Sequence, residues 1–397
     1  MSRTILDIHI LQTVPPSNLN RDDTGTPKTA IYGGVRRARV SSQAWKRATR
    51  KSFNELLPPE ELGVRTKKVA ELLAERIMAR STSLDEAVAW DLAAEMIRTA
   101  TGSKIEVPKR KAKGEEEAQL PPESSYLMFL SRRQIEALAE LAVTGGQGDL
   151  KTLQAFFKVK ENKALAKAAV NTRHSVDIAL FGRMVADAAD INVEAATQVA
   201  HALSVHAVDI ESDYYTAVDD RKSEDESGAG MIGSIDFNSS TLYRYAAVDI
   251  DGLHKNLGSL TEDENGPSPV RRAATAFLDA FVTSLPTGKT NTFGNQTLPA
   301  AVIVKLRSRR PVSFVSAFET PVRQREGGGY LAESCKQLTK YVPNLEAGYG
   351  IADVDGSWVL RIGEETADLE SLGVQVTLPE LLEAVGAAID ARMMAAR

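Results

Sequence analysis

The amino-acid sequence predicts an α+β fold, a β-sheet domain carrying a large helical insertion. Three observations lead there. Apolar, β-branched runs at 4–14, 234–250 and 300–307 read as strands. Residues 65–170 instead show helical periodicity almost throughout. The strand candidates recur on both sides of that region, so the helices interrupt a sheet rather than precede it.

TILDIHILQTV (4–14) reads as a buried strand ending at Pro15-Pro16. The loop SNLNRDDTGTPKTAIYGG (17–34) is rich in turn formers. Ser41 or Ser42 can cap a helix running to Leu57, which Pro58-Pro59 stop. VRTKKVAELLAERIMA (64–79), SLDEAVAWDLAAEMIRTATG (83–102, with a serine cap and a closing glycine), RRQIEALAELAV (132–143) and TLQAFFKVKENKALAKAAV (152–170) read as helices. VPKRKAKGEEEAQLPPESS (107–125) reads as an exposed loop. HSVDIALFGRM (174–184) is a strand candidate, and NVEAATQVAHALSVH (192–206) a helix capped by Asn192. Residues 206–220 and 234–250 form a long hairpin around the polar RKSEDESGAGMIG. A helix at 270–285, strands at 300–307 and 312–319, and a helix at 378–395 with Pro379 in its first turn complete the chain. This order suggests a ferredoxin-like sheet domain.

The chain has 397 residues, 43% apolar and 25% charged, an ordinary soluble composition. Its one cysteine, Cys335, excludes an internal disulfide and a thiolate metal cluster, which fits a reducing cytoplasm. No uninterrupted apolar run of membrane-spanning length occurs, and MSRTILDIHIL is unlike a signal peptide. No membrane association, metal or cofactor is expected.

Charge is unevenly divided. The net charge is −5, yet residues 20–51 hold nine Arg and Lys against Asp22 and Asp23, a local excess of +7, leaving −12 for the rest. Projected at about 100° per residue, Trp45, Ala48, Phe53, Leu56 and Leu57 share one side of the predicted helix. Gln43, Lys46, Arg47 and Arg50 follow i, i+3, i+4, i+7 on the other, with no carboxylate between Asp23 and Glu55. A face anchored behind and cationic in front suits a polyanion. The plain alternative is a solvated helix face.

Several catalytic-looking motifs fail on context. GAGMIG (228–233) matches a dinucleotide fingerprint by letter but sits at a hairpin tip. TGKT (287–290) has Thr283 where a phosphate loop needs its first glycine. His201 and His206 stand about 140° apart on a helix, wrong for a shared metal. Asp219 and Asp220, as strand neighbours, would diverge. The GGG of REGGGYL (325–331) reads as a flexible loop.

HILQTVPPSNLNRDDTGTPKTAIYGGVRRARVSSQAWKRATRKS (9–52), VDIALFGRM (176–184), YYTAVDD (214–220) and FNSSTLYRYAAVDI (237–250) carry a resemblance. They are similar to the backbone subunit of the type I-E CRISPR surveillance complex Cascade, the CasC family. The resemblance implies a modified RRM-type palm, a helical fingers insertion and a β-hairpin thumb. By its boundaries 1–60 is palm, 61–173 fingers, 174–206 palm, 207–240 thumb, and 241–397 palm and C-terminal elements. It implies a non-enzymatic subunit whose copies stack along crRNA and present it to a target DNA strand. Partners would be the large, small, 5′-handle-binding and processing-endonuclease subunits, with an effector helicase-nuclease reached through the complex. Carried across, Arg21, Lys28, Ser41, Gln43, Lys46, Arg47 and Arg50 would hold the RNA backbone, sequence-blind. Arg183 and Met184 would contact the RNA as well, Met184 against a base, and Tyr215, Thr216 and Ile232 would wedge at a displaced nucleotide. Lys160, Lys163 and Lys167, with Lys158 beside them, are expected to form a second, weaker stripe for target DNA. Two other classes stay in view: an RNA-processing endonuclease of related fold, with His9 or His174 as its acid–base group, and a scaffold for an acidic protein.

Overall fold

The computed structural model describes residues 3–108, 120–185, 189–217, 231–258, 267–351 and 354–395. The chain divides into two compact units, one of residues 1–53, 197–250 and 274–397, the other of 54–196 and 251–273.

The first unit opens with β1 (Ile5–Ser17), which runs through the two prolines rather than stopping before them. Its ladder to the strand carrying 238–249 shifts register between Val14 and Ser17, an irregular stretch where a missing N–H costs little. β2 (Thr29–Tyr32) and β3 (Val35–Val40) follow as a hairpin, where the turn-rich sequence suggested only loop. Gly33 and Gly34 have φ +59 and +79, the geometry of a two-residue primed turn. A β-carbon on Gly33 would lie 1.7 Å from the Glu319 carbonyl oxygen, so no other residue fits there. Helix α1 (Ser42–Leu56) matches its predicted span within a residue.

The second unit is mainly helical. It contains β4 (Gly63–Thr66), α2 (Val69–Arg80), α3 (Glu86–Thr101), β5 (Ile105–Glu106), β6 (Glu123–Ser124), β7 (Met128–Ser131), α4 (Arg132–Gly146), α5 (Leu150–Phe156), α6 (Lys160–Asn171) and α7 (Val176–Phe181). The N-cap of α3 is Asp85 rather than the expected serine, and Gly102 closes it left-handed. Ser131 and Gln134 make a reciprocal capping box on α4. The predicted helix at 152–170 is two, α5 and α6. Around them Leu73, Ile77, Leu92, Ile97, Leu138 and Leu153 form part of an apolar core. The loop 109–119 lies outside the described residues.

The strand expected at 174–184 is instead α7. Asp177 is buried; it accepts the Gly63 N–H at 2.9 Å and the Ser175 hydroxyl at 2.6 Å, and Gly182, at φ +75, ends the turn. A short apolar run does not distinguish the two states. The helix expected at 192–206 is replaced by β8 (Thr197–Val199) and β9 (Ala202–Ser204). Asn192, expected to cap it, accepts the Val185 N–H at 2.7 Å.

The hairpin is formed by β10 (Glu211–Ala217) and β11 (Met231–Asp249). Its tip, 218–230, lies outside the described residues, as do Asp219 and Asp220; Met231–Gly233 of GAGMIG are strand. Then come α8 (Ile250–Leu257), α9 (Pro269–Thr283), α10 (Thr290–Phe293), β12 (Ala301–Arg307), α11 (Leu331–Gly348), β13 (Val354–Arg361), β14 (Val374–Gln375) and α12 (Leu378–Ala395). Residues 312–319 form no strand: Val315–Phe318 is a 3₁₀ turn, and the Phe314 ring stacks on His9 at 3.9 Å.

The first unit is organised on one mixed sheet, ordered β14-β13-β12-β1-β11-β9-β3-β2, with β8 and β10 also pairing β11. All pairs are antiparallel except β13–β14. Alternation along β1 divides the core: Ile5 and Leu11 join Tyr243, Ile303 and Val359 on one face, while Leu6, Ile8 and Ile10 point to the other. Within the sheet, buried Asp7 and Arg307 pair at 2.6 Å, and Glu346 reaches Arg307 and Lys305. No helix among the described residues is long and apolar enough to cross a membrane.

Candidate nucleic-acid interface

The basic segment starts from a loop built by its own polar side chains. Asn18 donates to the carbonyls of Gly25 and Asp236, at 2.9 and 2.8 Å. The Asp22 carboxylate accepts the Thr24 hydroxyl at 2.7 Å and the N–H groups of Thr24 and Thr26. These donors, the Thr24 hydroxyl first, hold it below the usual carboxylate range. One of the two acids among nine cations is therefore a turn-former. Arg21, exposed, bridges to Pro27 at the loop base. The Lys28 N–H donates to Asn20 O, and the Asn20 side chain accepts the Ser41 N–H at 2.9 Å, leading the chain into α1.

Ser41 is buried, and its hydroxyl accepts the Ala44 N–H at 3.3 Å, so it serves as the cap of α1. Behind the helix, Trp45, Thr49 and Phe53 are buried. The Trp45 ring meets Phe281 edge-on and lies under the guanidinium of Arg244 at 3.7 Å. Arg244 is itself buried and donates to the Gln12 side chain at 2.6 Å and to the Phe281 carbonyl. Burial lowers it to about 9. On the other side Gln43 and Arg47 are exposed and Lys46 and Arg50 half-buried, with no acid in the first turn. The structure thus brings these four together as their spacing predicts.

Not every cation of the stretch faces out. Arg37 is buried and donates to the carbonyls of Tyr32, Ser204, Phe318 and Glu319, tying β3 to its neighbours. Arg39 donates to the Thr29 carbonyl and approaches His201 Nδ1 at 3.5 Å. His201, weighed in the sequence only as half of a metal pair, is exposed beside the α1 N-terminus and accepts the Ser42 N–H at 3.3 Å. Arg39 and His201 are additions that only three-dimensional proximity reveals. His206 is buried, stacked on Tyr330, with Nε2 accepting the Thr241 N–H. Gly288 of TGKT abuts the carbonyls of Asn18 and Leu19, an approach that leaves no phosphate cradle. Among the described residues no three His, Cys, Asp or Glu side chains cluster as metal ligands.

On the hairpin, Thr216 pairs with Ile232 and Tyr214 with Ser234, so these four side chains share one face. Tyr215 pairs with Gly233 and belongs to the other, its ring occupying the space a β-carbon on Gly233 would need. The three expected wedge residues are therefore divided two to one. Tyr214, 68% exposed and given no role by the sequence, stands with Thr216 and Ile232.

In the second unit Arg183 corrects an expectation. It is 3% exposed and donates to the carbonyls of Ile191 and Val170, both at 2.8 Å, and of Phe129 at 3.3 Å. It organises the unit's interior, and burial lowers it to about 10. Met184 beside it is 85% exposed. Lys158, Lys160, Lys163 and Lys167 are all exposed, with Asp190 3.9 Å from Lys167. The two histidines suited to a nuclease are both buried: His9 against Phe314 and Tyr243, His174 against Gln134.

The model of the CT1975-like protein family matches residues 6–384. No curated protein matches the chain. Among solved structures, a chain of a CRISPR RNA-guided surveillance complex in a pre-nicking state superposes with a TM-score of 0.79 at 33% identity, over 97% of this chain and 100% of that one. A chain of a further CRISPR RNA-guided surveillance complex gives 0.70 at 30% identity, over 97% and 99%.

Proposed function

Because the chain belongs to the CT1975-like protein family, we propose that it is the non-catalytic crRNA-binding backbone subunit of a type I-E CRISPR Cascade surveillance complex. The structural similarity to chains of surveillance complexes supports a place in such an assembly. One observation carries the finer reading: the outer face of α1 presents Gln43, Lys46, Arg47 and Arg50 without an intervening acid, while Trp45 and Arg244 fix the inner face. Side chains one turn apart can follow successive phosphates, and phosphate contacts ignore base identity.

On this reading Arg21 and Lys28 extend the grip along the loop. Met184 meets a base from the fingers unit, and Thr216, Ile232 and Tyr214 form the apolar wedge of the thumb. The α6 lysines face target DNA, and copies of the chain stack along one crRNA in the RRM-like arrangement that the resemblance implies. The other Cascade subunits join that ribonucleoprotein.

The test reverses charge where the side chains are accessible. K46E/R47E should weaken binding of the folded protein to a guide-length RNA at least tenfold. It should also flatten the dependence of log K on log salt by roughly 0.7 for each phosphate no longer neutralised. Unchanged affinity and slope in folded protein would sink the proposal, whatever the RNA sequence used.

A further inference from the structure

Resting on the RNA-binding reading of α1, we propose that His201 belongs to the same grip as an uncharged donor, its Nε2–H reaching a phosphate oxygen of the RNA backbone. Three features of the geometry lead there. First, Nδ1 accepts the backbone N–H of Ser42 at 3.3 Å. A backbone amide can only donate, so Nδ1 carries a lone pair and the ring proton resides on Nε2. Second, the Arg39 guanidinium, also only a donor, approaches the same Nδ1 at 3.5 Å and enforces the same tautomer. Third, His201 is exposed, and among the described residues no hydrogen-bond partner meets its Nε2.

The groups facing the ring come from three elements: Ser42 of α1, Arg39 of β3 and Lys28 of the loop before β2. Partial burial, then the charges of Arg39 and Lys28, hold the imidazolium form back. The ring is thus a neutral donor held by Arg39 and the start of a helix, with the charge of Lys28 acting on it, so that a phosphate drawn to those cations would meet it. A charged contact releases counterions when it binds RNA; a neutral donor adds affinity without doing so. That difference makes the assignment testable.

Two isosteres separate the nitrogens. H201N keeps an acceptor where Nδ1 stands and removes the outer donor, whereas H201Q supplies a donor near Nε2 and removes the inner acceptor. RNA affinity is measured across a salt series for parent, H201N, H201Q and K46E/R47E, with folding checked by thermal melts. The expected result is a loss of about three- to tenfold for H201N, the worth of one hydrogen bond, with the salt slope unchanged and H201Q binding more tightly than H201N. Parent-like binding by H201N, or the reverse order of the two variants, assigns His201 to positioning Ser42 only and overturns the proposal. A slope that falls in H201N also overturns it, because the removed group would have been a cation. Failure of the parent to bind RNA, or parent-like binding by K46E/R47E, sinks the underlying reading instead.

Discussion

Arg37, Arg183 and Arg244 are indistinguishable from surface arginines in the sequence, yet each is buried and hydrogen-bonded inside its unit. Burial of a guanidinium depends on which carbonyls the fold leaves unpaired, and those come from residues far along the chain. Reading Arg183 from its neighbour Met184 therefore misleads, whereas Gln43, Lys46, Arg47 and Arg50, placed by one helix's own period, are legible. His174 illustrates burial of a titratable ring. Burial first, then the charge of Arg183, lowers it to about 4. In the unfolded chain the ring takes a proton near 6.5, so its neutral, folded form contributes fully above that pH. The contribution, up to about 3 kcal/mol, disappears as pH falls from 6.5 towards 4. Denaturant midpoints followed from neutral pH down towards 4 should fall more steeply for the parent than for H174Q; parallel profiles would refute the assignment.

Elements held by their own periodicity or caps are readable: α1, α4, α12 and the β10–β11 hairpin appear where the sequence places them. Those defined by distant partners are not. Thr197–Val199 becomes a strand because Ala246–Val248 offers it a ladder, and Phe314 leaves the strand state to stack on His9. α11 and β13, for which the sequence offers no clear signal, contain a proline and a glycine respectively, Pro343 and Gly356. The hairpin yields a prediction of its own. Tyr214 and Tyr215 are adjacent, but strand alternation gives them opposite faces. Y215A should cost the hairpin about 0.2–1 kcal/mol, because no ring would then cover Gly233. Y214A should leave stability unchanged and quench the ordering of one base, a stacking loss of ~1–3 kcal/mol. Fluorescent purine analogues stepped along the RNA would report it. Equal effects from both variants would contradict the face assignment.

For the whole molecule, composition already announces the division of labour: a net charge of −5, with +7 gathered in residues 20–51. Two of those cations have structural tasks, Arg37 inside the sheet and Arg39 on the Thr29 carbonyl. The other seven still leave a basic segment on an acidic chain, so copies should repel one another unless a polyanion lies between them. Sedimentation of the purified assembly before and after ribonuclease should show large particles collapsing to single chains, with concentrated salt acting in the same direction. Particles that survive ribonuclease intact would favour a protein scaffold.

The turn at 33 and 34 puts two adjacent glycines under unequal steric constraint. A methyl group at 33 would collide with the Glu319 carbonyl oxygen, whereas the space around 34 is empty and its backbone angle suits asparagine. Tolerance at this doublet is consequently one-sided: asparagine at 34 should cost only the strain of its left-handed angle, whereas no side chain enters at 33 for as long as Glu319 and the β2–β3 ribbon remain in contact.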